Sequence, residues 1–287
     1  MHIVASGITD VGLKREGNED SFSSEDALGL YVVADGMGGH LAGEVASRIS
    51  VELINKCYRK WVEEGVSADE IYGEPDNSLT LQGNYILGSI RFANRVIYEM
   101  AVENKKYHGM GTTVVILLVT QDVIIAANVG DSRIYLVRDG VIEGLSKDHT
   151  IVAEQVEMGM MTKEEAETSP LKHILTRNLG SAETVEPDIF EIEPSNNDRF
   201  ILCTDGLTDL VRDEEILAMA NNEKEPESLC RRLIDKVLKR GAHDNTTIIS
   251  VFIMDMKGHE DGSFKKIGQF FADFFIGFHK ILKKLIP

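Results

Sequence analysis

The sequence predicts an α+β fold built on antiparallel sheet. Seven short Val/Ile-rich segments read as strands, and three of them follow one another with no room for a helix between. Long helical periodicities are confined to separate stretches. Acidic residues also fall where several of these strands should end, in Asn18-Glu19-Asp20, Asp35-Gly36, Asp205-Gly206 and Asp244-Asn245.

In chain order, residues 3–9 and 29–34 are the first strand candidates, bounded by Gly, Asp or Asn. Ile49, Leu53, Ile54, Cys57 and Trp61 then repeat at helical spacing, as do Ile86, Ile90, Ala93, Ile97 and Met100. The polar stretch 65–84 joins these two helices as a loop. Residues 112–120, 122–129 and 132–138 read as consecutive strands. Gln121-Asp122 separates its two apolar runs tightly enough for a hairpin, and Asp139-Gly140 closes the third strand with a turn dipeptide. Residues 151–168 form a weaker helical region containing Met158-Gly-Met-Met161. Strands at 199–204 and 246–254 flank a helix at 225–240, which opens on Pro226 and ends before Gly241. Residues 257–263 read as a linker, and 264–287 as an amphipathic helix with a continuous stripe that includes Phe264, Ile267, Phe271, Phe274 and Phe278.

At 287 residues and 43% hydrophobic, the chain can bury a full core as one large domain or two small ones. Its net charge of −17 argues against nucleic acid as a partner, since phosphate backbones need Lys/Arg surfaces. Five Lys and one Asp give residues 264–287 a local +4, which leaves −21 for the rest. Three widely spaced Cys form neither a disulfide framework nor a zinc pattern and suit a reducing cytoplasm. The N-terminus has no basic segment followed by an apolar core, so no secretory signal is expected, and no apolar run is long enough to span a bilayer.

Carboxylates converging from several strand ends repel one another unless cations sit between them. Arg15 lies beside Glu19 and Asp20 and can grip a phosphate with two parallel hydrogen bonds. Taken alone, that cluster has the composition of an ordinary solvated loop. The glycines after Asp35 let the backbone fold back, so that the Gly36 carbonyl can join the Asp35 carboxylate as a ligand; a tight strand-to-helix turn is the alternative. Gly130-Asp131-Ser132 alone is an ordinary turn. No two His stand in a His-x-His or His-x-x-x-His pair, so the expected ligand set is nearly all oxygen and favours Mg²⁺ or Mn²⁺.

Eight fragments occur in one order: Arg15…Asn18-Glu19-Asp20, Asp35-Gly36-Met-Gly-Gly39-His40, Gly111-Thr-Thr113, Asn128-Val-Gly-Asp131-Ser-Arg133, Asp148-His149, Leu175-Thr-Arg-Asn-Leu-Gly180, Thr204-Asp205-Gly206 and Asp244-Asn-Thr-Thr247. In that order they resemble the metal-dependent protein serine/threonine phosphatases of the PP2C (PPM) family, compact bacterial type. The resemblance covers roughly residues 3–254, within an expected phosphatase domain of 1–256, and implies a four-layer αββα sandwich of two antiparallel sheets flanked by helices. It also implies a two-metal centre at one rim. Asp35 would bridge both Mn²⁺ or Mg²⁺ ions, with the Gly36 carbonyl, Asp205 and Asp244 completing the pair. Glu19 and Asp20 would act through metal-bound water, and Asp131 with Asp205 would hold a third, weaker ion. Hydroxide generated between the metals would attack phosphorus in line, while Arg15 neutralises the phosphoryl oxygens.

Met37 stands where many eukaryotic relatives carry a His proposed as general acid, which leaves His40 or a metal-bound water for that role. Residues 147–180 match the family's flap beside the active site. The implied partners are phosphorylated proteins, including a Ser/Thr kinase. Rival readings are a non-catalytic phosphoprotein-binding relative, a calcium-binding sandwich, and a partner-switching phosphatase with one target. The 264–287 helix is expected either to dock on protein, its own body or a second copy, or to lie on an anionic membrane from the cytoplasmic side.

Overall fold

The structure is a computed structural model, described here for residues 1–39 and 41–254; position 40 and residues 255–287, with the expected linker and expected helix, lie outside the described residues. Among the described residues, eleven strands and seven α-helices follow in order. They are β1 (His2–Asp10), β2 (Asp20–Glu25), β3 (Leu30–Met37), α1 (Leu41–Glu64), α2 (Leu81–Glu103), β4 (Gly111–Thr112), β5 (Val114–Val119), β6 (Ile124–Val129), β7 (Arg133–Arg138) and β8 (Val141–Gly144). Then come α3 (Ile151–Glu157), α4 (Lys163–Thr168), β9 (Asp188–Ile192), β10 (Arg199–Cys203), α5 (Asp205–Thr208), α6 (Asp213–Asn222), α7 (Pro226–Lys239) and β11 (Thr246–Met254).

Two antiparallel sheets form, one in the order β1-β11-β10-β7-β8 and the other β2-β3-β5-β6-β9, with β4 paired to β3. Alternation along the strands separates three apolar layers. In β3, Leu30, Val32 and Ala34 belong to a core shared with α1 and α2, whereas Tyr31 and Val33 point the other way and are equally buried. Ile201 and Cys203 of β10 pack with α5, α6 and α7, while Phe200 and Leu202 are buried on the opposite face, toward the second sheet. Both sheets are therefore covered on two sides, as the four-layer αββα expectation requires.

The differences from the sequence reading have local causes. Strands β2, β8 and β9 escaped it because they are short and only partly buried, so apolar alternation is weak. The single strand expected at 112–120 breaks at Thr113, whose hydroxyl accepts from the Asp35 amide while its own amide donates to the Asp35 carbonyl. The helical region at 151–168 is two short helices, each started by a capping threonine, Thr150 and Thr162. The third long helix runs from Pro226 to Lys239, with Pro in the first turn.

Sheet topology explains why scattered acids meet. β10 ends, and its neighbours β7 and β11 begin, at one rim, because both pair with it antiparallel. β3 ends and β2 begins at the same kind of edge in the second sheet, with Asp20 directly opposite Asp35. Strand ends far apart in sequence thus bring Asp20, Asp35, Asp131, Asp205 and Asp244 together.

Candidate active site and metal centre

Asp20 ties the two sheets together at this rim. Its Oδ2 accepts from Thr247 Oγ1 at 2.7 Å and from Thr204 Oγ1 at 3.0 Å, residues of the first sheet's rim. Its Oδ1 is buried with no hydrogen-bond partner. Burial raises the Asp20 pKa, the two threonines pull it back, and Asp205 and Asp244 push it up again, to about 7. Asp35 is raised well above the usual carboxylate range, first by burial and then by Asp20, Asp205, Asp131 and Asp244. Asp131 reaches about 7 through burial and the nearby Asp205 and Asp148. Asp205 opens the single-turn helix α5, and its Oδ1 is also buried and unpartnered.

Backbone packing fixes the remaining candidates. A Cβ on Gly36 would lie 2.2 Å from the Gly43 carbonyl oxygen and 2.6 Å from that of Glu19, so only glycine lets α1 and the 15–20 loop close in. Gly43 is constrained by backbone too, since its Cβ would stand 2.9 Å from the Gly36 carbonyl carbon as well as against the movable Glu19 carboxylate. The Gly36 amide donates to the Glu19 carbonyl at 3.1 Å, and Ser47 Oγ donates to that carbonyl at 2.6 Å. Asn245 holds the loop from below: its side chain accepts from the Glu19 amide at 2.9 Å and donates to the Val11 and Gly17 carbonyls at 3.0 Å each. Arg15 Nη2 donates to Asp244 Oδ2 at 2.8 Å. Asn18 makes only local contacts, to Thr9 and the Asp20 amide.

The rim therefore gathers Arg15, Glu19, Asp20, Asp35, Gly36, Asp131, Asp205 and Asp244, and His40 lies outside the described residues. Sequence reasoning gave no role to Asn245, Thr204 and Thr247, although they sit inside the quoted motifs. It also missed His173. From the 147–180 segment, His173 Nδ1 comes within 3.4 Å of Asp205 Oδ2, and His173 joins Asp131 and Asp205 in a set of ligand atoms all within 4.8 Å of one another. It places one nitrogen beside an otherwise all-oxygen group of acids. No pattern could have revealed it, because its partners are 42 and 32 residues away in sequence.

Among the described residues, none of Asp20, Asp35, Asp131 and Asp205 forms a lysine or arginine salt bridge. Asp20, Asp35 and Asp131, each raised by acidic neighbours, together with buried oxygens that lack partners, fit hard divalent cations. The chain matches the protein phosphatase 2C family over residues 6–246. It belongs to that family.

The serine/threonine phosphatase stp of Listeria monocytogenes is 34% identical over 246 residues, covering 85% of this chain and 93% of that protein. The Streptococcus agalactiae serine/threonine phosphatase structure superposes with a TM-score of 0.77 at 35% identity, over 88% of this chain and 100% of that one. The catalytic domain of PstP, solved in complex with two manganese ions, gives a TM-score of 0.74 at 33% identity, over 88% and 99% of the two chains. The fold is the PP2C sandwich, and the protein is a metal-dependent protein phosphatase of that family.

Proposed function

We propose that this PP2C-family enzyme hydrolyses phosphoserine and phosphothreonine in proteins, at the rim described above. The observation that carries the reading is the convergence of five carboxylates, two of them with buried, unpartnered oxygens, beside Arg15. Asp35, the Gly36 carbonyl, Asp205 and Asp244 are the proposed holders of two Mn²⁺ or Mg²⁺ ions, with Glu19 and Asp20 behind them and Asp131 sharing a third ion with Asp205. When bound, the cations would lower the pKa of a coordinated water and so supply the nucleophile.

The chain's own residues do the rest. Arg15 is half-exposed at the mouth, where it can move from Asp244 to a phosphoryl oxygen and neutralise charge as the transition state forms. Asp20 is held by Thr204 and Thr247 as a buried acid on the line joining the two sheets, positioned to accept a proton from water at the rim. His40 is the proposed general acid toward the departing Ser or Thr oxygen.

We further infer that the phosphoproteins include a Ser/Thr kinase, and that residues 264–287 keep the enzyme near it at a membrane surface. The support is that tail's sequence, an apolar stripe with five Lys. No helix among the described residues is long and apolar enough to cross a membrane. Assays on phosphoserine, phosphothreonine and phosphotyrosine peptides with and without Mn²⁺ test the function. Metal-dependent release from the first two supports it, and inactivity across divalent metals overturns it. Equal liposome co-sedimentation of the full chain and a 1–256 truncation would remove the membrane assignment.

A further inference from the structure

Asp209 lies just beyond α5, one turn after Asp205, and its amide donates to the Asp205 carbonyl at 2.8 Å. Three basic groups from two distant segments converge on its carboxylate. Lys172 Nζ donates to Oδ1 at 2.9 Å. His243 Nε2 is 3.3 Å from Oδ2, and His173 Nε2 is 3.5 Å from the same oxygen. Lys172 and His173 belong to the 147–180 segment, so one body carboxylate, only 16% exposed, holds the root of the flap.

The His173 ring is thereby spanned by two acids. Nε2 faces Asp209 and Nδ1 faces Asp205 Oδ2 at 3.4 Å, with Asp131 in the same cluster. When the Asp209 carboxylate accepts a hydrogen bond from Nε2–H, the Nδ1 lone pair is left to face a cation that Asp131 and Asp205 would hold. That is the arrangement by which an acid fixes the tautomer and orientation of a metal-binding histidine.

We propose that Asp209 is a positioning residue that turns His173 so that the flap adds a nitrogen ligand to the cation site shared by Asp131 and Asp205. This rests on the metal-dependent reading above. It makes occupancy of the third site and docking of the flap root one event, because a single carboxylate serves both. Lys172 neutralises the outer oxygen of Asp209 and leaves the inner one to the two imidazoles.

Mn²⁺ titration calorimetry on the full chain tests this, with thermal melts as a control for folding. Wild type should bind two ions tightly and a third more weakly. His173→Ala and Asp209→Ala should each weaken the third ion about 10-fold, the usual cost of losing a ligand's orienting partner, and leave the two tight ions within about twofold. The double variant should be no weaker than His173→Ala alone, because Asp209 acts through the ring. Lys172→Met, which cuts the outer ion pair only, should stay within about threefold of wild type. Should Asp209→Ala fail to fold, Asp209→Asn keeps the shape and carries the same expectation.

The proposal is overturned by an Asp209 variant with unchanged third-ion affinity, by additive losses in the double variant, or by Lys172→Met matching Asp209→Ala. A wild type that binds two ions and no third overturns it while leaving the phosphatase assignment intact. A wild type that binds no Mn²⁺ sinks both.

Discussion

The two ends of β10 carry the same kind of residue in opposite circumstances. Asp198, just before the strand, is fully buried. Arg138 Nε and Nη2 donate to it at 2.6 Å each, and the Ser195 amide donates at 2.8 Å. Burial pushes its pKa up, while Arg138 and Ser195 pull it back. Asp205, just after the strand, has other carboxylates for neighbours and a buried oxygen without a partner. One end is closed by a cation built into the chain; the other is built to receive a cation from outside. A buried acid thus marks function here only where the protein has withheld the compensating charge.

The sharpest way to break this contrast is to remove one acid from each end. At the rim, Asp35→Asn should lower kcat/KM by about 1,000-fold or more in Mn²⁺, since it removes the acid proposed to hold both ions. The same change should raise the melting temperature of the metal-free protein, because one of several mutually repelling carboxylates becomes neutral. At the other end, Asp198→Ala leaves Arg138 buried without its partner and should cost about 3 kcal/mol of stability, roughly 10 °C in melting temperature. Its kcat/KM per folded molecule should stay within about twofold. Exchanged outcomes, with Asp198→Ala inactive but stable, would end the distinction.

This contrast also marks how far the sequence could be read. The rim acids were legible because each adjoins an apolar strand and a glycine or amide, a local pattern. Antiparallel sheet was legible from consecutive apolar runs with tight turns, and its division into two sheets from the resemblance that the ordered motifs carry. The burial of Asp198 was not, since a polar Asn196-Asn197-Asp198 turn looks solvated until Arg138 is brought to it from β7. His173 and Asp209 were hidden for the same reason: their meaning lies in a contact across the fold, and the surrounding sequence has no period. Whether a charged residue is compensated is a tertiary property.

The titration of the rim sharpens the comparison with a smaller effect. Asp20 and Asp131 both stand at about 7 in the metal-free protein, against 3.8 for an ordinary Asp. Between those values the unfolded chain has released protons that the folded chain still holds. The stability associated with the uncharged acids is therefore fully present below pH 3.8 and is lost as pH rises through about 7. Melting temperature in EDTA should accordingly fall from pH 5 to pH 8, and saturating Mn²⁺ should remove most of that fall by compensating the ionised acids. A flat profile in EDTA would mean that the rim carboxylates are not coupled in the way their burial requires.

Arg15 supplies the smallest effect and the most direct comparison with Arg138. Both arginines touch a strand-end aspartate, but Arg138 is 13% exposed and Arg15 is 52% exposed, with Asp244 at 28%. A pair this open to water contributes little to folding, because solvent screens the attraction and ordering two side chains costs entropy. Its role is instead to lie within reach of the phosphate, where a planar fork of donors outperforms an ammonium. Arg15→Lys should therefore lower kcat/KM about 10-fold, mainly through KM, and move the melting temperature by no more than about 1 °C. Steady-state kinetics on a phosphopeptide and a thermal melt of the same preparation decide it. A melting shift as large as that of Asp198→Ala, with kinetics unchanged, would make Arg15 a structural cation like Arg138.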